Sequence, residues 1–288
     1  MSKVLVTGAT GLLGRSLVPL LQERGHQVIQ MGHTYSTDFN VDLTSIEETS
    51  RALDQALPEV IINLIALTDV DRCETHPNES YLLNVKPVEN LCNWIKANGQ
   101  QCYLIQISTD QVYDSPGEHS ENVLTIRNHY AMSKLAGEYA ARIVPSTILR
   151  TNFVGRSFRQ GRTSFTDWLY KSLRGTEPIR VFDNVMFNPL SISTLCNQIE
   201  RVIFERPLGI FNLGSRDGMS KADFAFAFAV ATGLPTTNLI RSNASDVTTL
   251  VARRPTDMRM QCDYFEARMR LKLPRLIDEI QVLANDYS

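Results

Sequence analysis

Two hydrophobic rhythms alternate along the first half of the chain. A short apolar run at Lys3–Thr7 predicts a strand, and residues 12–24 then repeat leucine and valine at helical spacing up to Gly25, a residue type that ends helices. Residues 27–31 predict a second strand. Residues 45–57 predict a helix, with Ser45 or Thr44 as its cap and Glu47 and Glu48 in the first turn, where carboxylates oppose the helix dipole. Residues 60–66 are continuously apolar, as in a strand covered on both faces. Residues 79–98 predict one long helix closed by Gly99. Residues 102–107 predict a strand, 130–143 a helix and 147–150 the start of a further strand. Strand and helix in this order predict an α/β fold, a doubly wound parallel sheet with helices on both faces.

The second half is less regular. Residues 165–174, 193–204, 220–232 and 276–285 read as helices, and Ile179–Phe182 and Gly209–Leu213 as short strands. The expected organisation is a first domain over residues 1–150 and a smaller C-terminal α/β domain over 151–288, with part of 179–213 returning to the first. A ligand cleft is expected past the carboxyl ends of the strands.

Composition narrows the partners. Of 288 residues, 43% are hydrophobic and 21% charged, and the net charge is −2, so no general electrostatic grip on nucleic acid or anionic membrane is expected. The first apolar run is too short for a signal peptide and no stretch is long enough to span a bilayer; a cytoplasmic protein is expected. Five scattered cysteines without a CxxC pair argue against a zinc or redox site. The five histidines show no ligand spacing, and Asp69, Asp71 and Glu74 read as a solvated loop, so no metal is expected. Phe224, Phe226 and Phe228 read as packing rather than as a ligand cage.

Between the first strand and the first helix lies Thr7-Gly-Ala-Thr-Gly-Leu-Leu-Gly14. Gly8 permits a tight turn, Gly11 lets backbone approach a pyrophosphate, and Gly14 lets the helix pack closely. With Thr10, Leu12 and Leu13, these residues point to dinucleotide binding at a helix N-terminus, in a Rossmann-like domain. The second strand ends in Met31-Gly32-His33, without the carboxylate that would exclude a 2′-phosphate. Arg15 and His33 are therefore candidates to meet one, and the cofactor reads as NADPH, with NADH as the alternative. Asp42 and Leu43 are candidates at the adenine, Asp42 otherwise capping the following helix.

Ser108-Thr109-Asp110 ends the strand at 102–107, and Tyr130-Ala-Met-Ser-Lys134 opens the next helix, with Tyr130 and Lys134 on one helix face. Carbonyl reduction develops alkoxide charge and needs a proton. A phenol, with a pKa of about 10 unperturbed, gives up its proton more readily beside an ammonium. Tyr130 thus reads as general acid, Lys134 as its cation and ribose ligand, and Thr109 as a donor to the same carbonyl oxygen.

The glycine loop, the segment from Ser108 to Tyr113 and the Tyr130–Lys134 motif resemble the extended short-chain dehydrogenase/reductase family. Within it the chain is most similar to the nucleotide-sugar 4-keto reductases of the dTDP-4-dehydrorhamnose reductase kind. Three further stretches carry the likeness: residues 63–74, Asn84-Val85, and Ala252-Arg-Arg-Pro255 followed by Leu273-Pro274. The resemblance implies NAD(P)H-dependent reduction of the 4-keto group of a nucleotide-linked 6-deoxy sugar. It implies cofactor contacts from Ile65, Ala66, Leu67, Asn84, Ser108 and Asn152, and substrate contacts from Thr68, Asp110 and Phe153 beside Thr109 and Tyr130. Arg253 and Arg254 are candidates for the substrate's pyrophosphate, and a second copy of the chain is a candidate partner in a homodimer. The chain departs from the reductases at Phe153, where they carry tryptophan, and in a shorter loop between Thr109 and Tyr130. Two alternatives are a cofactor-binding regulatory subunit, like that of methionine adenosyltransferase, and a nucleotide-sugar epimerase. The missing carboxylate after strand two and the intact Thr109, Tyr130 and Lys134 argue for the reductase.

Overall fold

A computed structural model describes residues 1–288 apart from 34–36, 100, 159–160, 162, 248–249 and 288. Its elements are, in order, β1 Lys3–Thr7, α1 Gly14–Glu23, β2 Gln27–Gly32, β3 Phe39–Asn40, α2 Ile46–Ala56, β4 Val60–Asn63, α3 Val70–Thr75, α4 Pro77–Asn84, α5 Lys86–Ala97, β5 Tyr103–Thr109, α6 His129–Ala141 and β6 Ser146–Thr151. There follow β7 Phe153–Val154, α7 Phe165–Leu173, β8 Ile179–Phe182, β9 Met186–Phe187, β10 Leu190–Ser191, α8 Ile192–Glu205, β11 Gly209–Leu213, β12 Met219–Ser220, α9 Lys221–Ala231, β13 Leu239–Ser242, α10 Asp263–Met269 and α11 Leu276–Ala284.

A seven-stranded sheet has the order β11-β6-β5-β4-β1-β2-β3, and β1 pairs in parallel with both β2 and β4. This is the doubly wound arrangement that the strand–helix alternation predicts. The chain divides into two compact units. One comprises Met1–Thr109, Asn128–Arg150 and Cys196–Ile210; the other comprises Asp110–Arg127, Thr151–Leu195 and Phe211–Ser288. The first packs a core of Leu5, Met31, Leu53, Ile61, Leu91, Ile95, Leu104 and their neighbours. The second has its own, built on Leu169, Phe187, Phe224, Phe228, Leu276 and Ile280. Phe224 and Phe228 are fully buried there, stacked with centroids 6.2 Å apart, as packing residues.

Three of the predicted elements have other bounds than the sequence suggests, each for an identifiable physical reason. The first helix begins at Gly14 rather than at 12, because residues 8–13 are used by the glycine turn. β4 stops at Asn63 instead of reaching 66: the buried Asn63 side chain accepts from Thr7 Oγ1 at 2.6 Å and donates to Gln106 at 2.8 Å, a polar knot at the carboxyl ends of β1, β4 and β5 where the chain leaves the sheet. The single helix expected at 79–98 is two, because Pro87 has no N–H to continue the ladder and Val85 departs from helical φ at −115°. The short α3, on residues read as a solvated loop but capped by Asp69, is a correction of that reading, and α10, β13 and the two-residue strands lacked a clear periodic signal.

All five cysteines are buried and free, and burial pushes the thiols of Cys92, Cys102 and Cys196 up to about 12. Among the described residues no helix is long and apolar enough to cross a membrane.

Candidate active site

The glycine turn of the first unit is built as its spacing requires. Gly8 sits at φ +65°, and its N–H donates to Met31 O at 2.9 Å, tying the loop to the end of β2. A Cβ on Gly14 would lie 2.5 Å from Ala9 O and 2.7 Å from Ala9 Cα, so no other residue fits without a backbone shift. The close approach that Gly14 allows is thus to the loop itself. At the start of α1, Arg15 N–H donates to Gly11 O and Leu17 N–H to Leu13 O. The N–H groups of Leu12 and Leu13 make no hydrogen bond to another described residue. Glycine curvature with open donors at a helix start fits a dinucleotide pyrophosphate.

Around it, Thr10 O accepts from Arg15 Nε at 3.2 Å on an exposed stretch, and His33 is exposed beyond β2. One Asp42 oxygen accepts from both Thr44 N–H (2.9 Å) and Thr44 Oγ1 (2.8 Å), which holds its carboxyl below the usual range. The next residue, Leu43, is buried in the core. Ile65, Ala66 and Leu67 form an irregular, half-buried stretch after β4, and Thr68, next to them, is exposed. Asn84 is buried and grips that stretch. It accepts from Leu67 N–H at 2.7 Å, and it donates to Leu67 O at 3.2 Å and to Ser133 Oγ on α6 at 2.8 Å. These bonds tie the stretch after β4 to α6 through Asn84. Gly137 lets the two approach, since a Cβ there would lie 2.9 Å from Asn84 O.

Thr109, Tyr130 and Lys134 all lie in this unit and are all buried. The helix carrying the pair is fixed at its start: Asn128 accepts from Ala131 N–H at 2.8 Å, and Glu74 accepts from His129 N–H at 2.9 Å. Lys134 Nζ donates to Ile107 O at 2.8 Å, two residues before Thr109. Burial lowers its ammonium pKa to about 8, against an opposing pull from Glu138. Ser108 turns inward and donates to Glu138, which also holds Arg150 at 2.6 Å; that pair is 1% exposed on both sides.

Glu138, Arg150 and the Thr7–Asn63–Gln106 knot escaped the sequence reading. The signals that could have found the first two are a carboxylate one turn beyond Lys134 and an arginine inside an otherwise uncharged strand.

The second unit carries the remaining candidates. Asp110 is buried and accepts from Asn152 Nδ2 at 2.6 Å, while the neighbouring Phe153 lies in β7, paired with β10. A cavity of about 200 Å³ is lined by Phe182, Val185, Val247, Leu250, Pro255 and Met258, with Gln111, Lys221 and Arg254 as its polar wall. Arg254 donates to Ala252 O at 3.0 Å, whereas Arg253 is exposed and does not line this cavity. The Lys221 ammonium sits 5.8 Å from the Phe165 ring centre. Burial holds its pKa below the usual lysine range, with Asp110 opposing and Arg254 adding to the shift. Lys221, which follows the helix cap Ser220, was not a sequence candidate.

Known proteins resemble this chain over most of its length. The probable low-salt glycan biosynthesis reductase Agl14 of Haloferax volcanii is 28% identical, over 98% of each chain. Methionine adenosyltransferase 2 subunit beta of Bos taurus is 28% identical over 92% of this chain and 81% of its own. The dTDP-4-dehydrorhamnose reductase of Aggregatibacter actinomycetemcomitans is 28% identical over 89% and 90%. The crystal structure of the Bacillus anthracis dTDP-4-dehydrorhamnose reductase in complex with NADP superposes with a TM-score of 0.88, covers 98% of both chains at 22% identity, and so shares the fold. Residues 2–288 match the model of the RmlD substrate binding domain, and the chain belongs to that family.

Proposed function

We propose that the protein is an NAD(P)H-dependent oxidoreductase that reduces the 4-keto group of a nucleotide-linked 6-deoxy sugar. The observation that carries this reading is the first unit's catalytic set. Tyr130 and Lys134 share one face of α6, and the Lys134 ammonium is anchored on Ile107 O beside the strand end that presents Thr109.

The glycine loop, with the open N–H groups of Leu12 and Leu13, would hold the cofactor pyrophosphate. Thr10, Arg15 and His33 would lie toward its 2′ end, Asp42 and Leu43 toward its adenine, and Ile65 to Leu67, Ser108 and Asn152 toward its nicotinamide half. When bound, the reduced nicotinamide supplies the two reducing electrons. Tyr130 delivers the proton to the nascent alkoxide, Thr109 donates a hydrogen bond to the same oxygen, and Lys134 stabilises the resulting phenolate and the ribose. Thr68, Asp110 and Phe153 would contact the sugar. Arg254, joined by Lys221, would meet the diphosphate, with Arg253 an exposed contributor at most. The absence of a carboxylate at the end of β2 supports NADPH over NADH.

Oxidation of NADPH against freshly made dTDP-, UDP-, GDP- and CDP-4-keto sugars tests the reading, and turnover of one of them is the expected result. The equally strong likeness to methionine adenosyltransferase 2 subunit beta supports a second reading, a cofactor-binding regulatory subunit. Failure of the whole panel would make that the better one.

A further inference from the structure

The buried carboxylate of Glu138 has no part in the chemistry described above, yet it lies at the centre of the first unit's polar interior. It is 1% exposed and faces three donor atoms. Ser108, the residue before Thr109, donates its hydroxyl to Oε1. Arg150, on β6, donates Nε to Oε1 at 2.9 Å and a terminal nitrogen to Oε2 at 2.6 Å. Glu138 also lies four residues after Lys134 on α6, one turn along the same face. Tyr130, Lys134 and Glu138 thus form a row at fourfold spacing, and Ile107 and Ser108, on the adjacent strand, are bonded to the second and third members.

Such a site is costly unless it does something. Two charges taken out of water recover their desolvation only when geometry is good, and apolar residues of similar volume often serve stability as well. Arg150 neutralises Glu138 overall, but the carboxylate belongs to the helix that carries Lys134. Among the charged groups around Lys134, Glu138 is the one that favours its ammonium, against the burial that opposes it. From β5 Lys134 receives a backbone carbonyl, a neutral partner; from β6 comes Arg150, already engaged by Glu138; and Asn84 and Ser133, at the contact with α4, are neutral.

We propose that Glu138 is a positioning residue for the catalytic pair: clamped between Ser108 and Arg150, it locks the end of β5 to α6 and holds a carboxylate one helical turn from Lys134. The strand end that carries Thr109 and the helix that carries the acid are then joined twice, once through Lys134 and once through Glu138.

The test needs neither substrate nor cofactor. Lysine side chains labelled with ¹³C at Cε report titration by NMR in the protein alone, and the Lys134 signal is assigned by its loss in Lys134→Met. Glu138→Gln keeps the size and the acceptor for Ser108 but removes the charge. Its Lys134 midpoint should fall below that of the unmodified protein by roughly one pH unit, the usual effect of losing a close opposite charge. Glu138→Asp keeps the charge but withdraws it by one methylene, and should give a smaller fall in the same direction. Ser108→Ala removes a hydroxyl and no charge, and should leave the midpoint in place. Thermal melts establish that each variant is folded, and if Glu138→Gln does not fold, Glu138→Asp carries the comparison. An unmoved Lys134 midpoint in the folded glutamate variants overturns the proposal, whatever substrate the protein proves to reduce.

Discussion

The ammonium of Lys134 donates to the carbonyl oxygen of Ile107 at 2.8 Å, joining the helix that carries Tyr130 to the strand that ends in Thr109. The two residues are 27 positions apart in sequence, and the bond makes the relative placement of Tyr130 and Thr109 a property of the packed interior.

Removing the acid tests that placement most directly. Tyr130→Phe deletes one hydroxyl and should leave fold and NADPH binding intact while turnover drops by about 10²–10⁴-fold, the usual worth of general acid catalysis. Thr109→Val should be milder, and the double variant less than additive, because both hydroxyls serve one oxygen. Stopped-flow NADPH oxidation on folded variants measures this, and near-normal turnover by Tyr130→Phe rules out the mechanism.

A pH dependence follows from the burial of Lys134. Its pKa is lowered to about 8, and the proposed mechanism uses the ammonium form. Activity should therefore be sustained below about pH 8 and lost as pH rises through it, whereas an ordinary lysine would hold its proton beyond pH 10. A kcat profile between pH 6 and 10 shows the limb. Lys134→Met should lack the limb and retain at most the activity of Tyr130→Phe.

The cavity of the second unit is lined by Arg254 and Lys221 but not by Arg253, and the proposed diphosphate contact follows that lining. Lys221→Met and Arg254→Ala should each raise KM by roughly tenfold or more, in keeping with the loss of a charge-assisted contact. Cofactor affinity should be unchanged, and Arg253→Ala should have a small effect on both. Calorimetric titration with dTDP and UDP gives the same comparison without chemistry; equal affinities across all three variants would return this cavity to ordinary packing.

Gly14→Ala places a methyl group 2.5 Å from Ala9 O. The loop must shift to admit it, at a cost of about 1–3 kcal/mol, and NADPH affinity should fall with it. A thermal melt and a cofactor titration on the same sample separate the two effects.

Arg150→Met leaves Glu138 buried without its cation. Breaking a buried pair from one side costs about 3–5 kcal/mol, so denaturant unfolding should show a large loss of stability. Replacing both residues with apolar ones of similar volume should recover most of it.

The sequence alone determined the features that depend on near neighbours. The glycines at 8, 11 and 14, the four-residue step from Tyr130 to Lys134, the Ser45 cap and the strand–helix alternation all act within a turn or a strand, so their physics is local and legible. One misreading was local in cause, since Pro87 cut short a helix that hydrophobicity alone would have continued, whereas β4 ends early at Asn63, whose partners Thr7 and Gln106 lie 56 and 43 residues away. Tertiary structure alone decided which polar groups meet in the interior. Ser108 finds Glu138 across 30 residues, Asn84 finds Ser133 across 49, and the cavity of the second unit takes Arg254 with Lys221 but not Arg253. Partner choice of this kind depends on which side chains lose water together, because a buried donor or acceptor must be satisfied by whatever the packed chain brings within reach, and no spacing along the sequence encodes that.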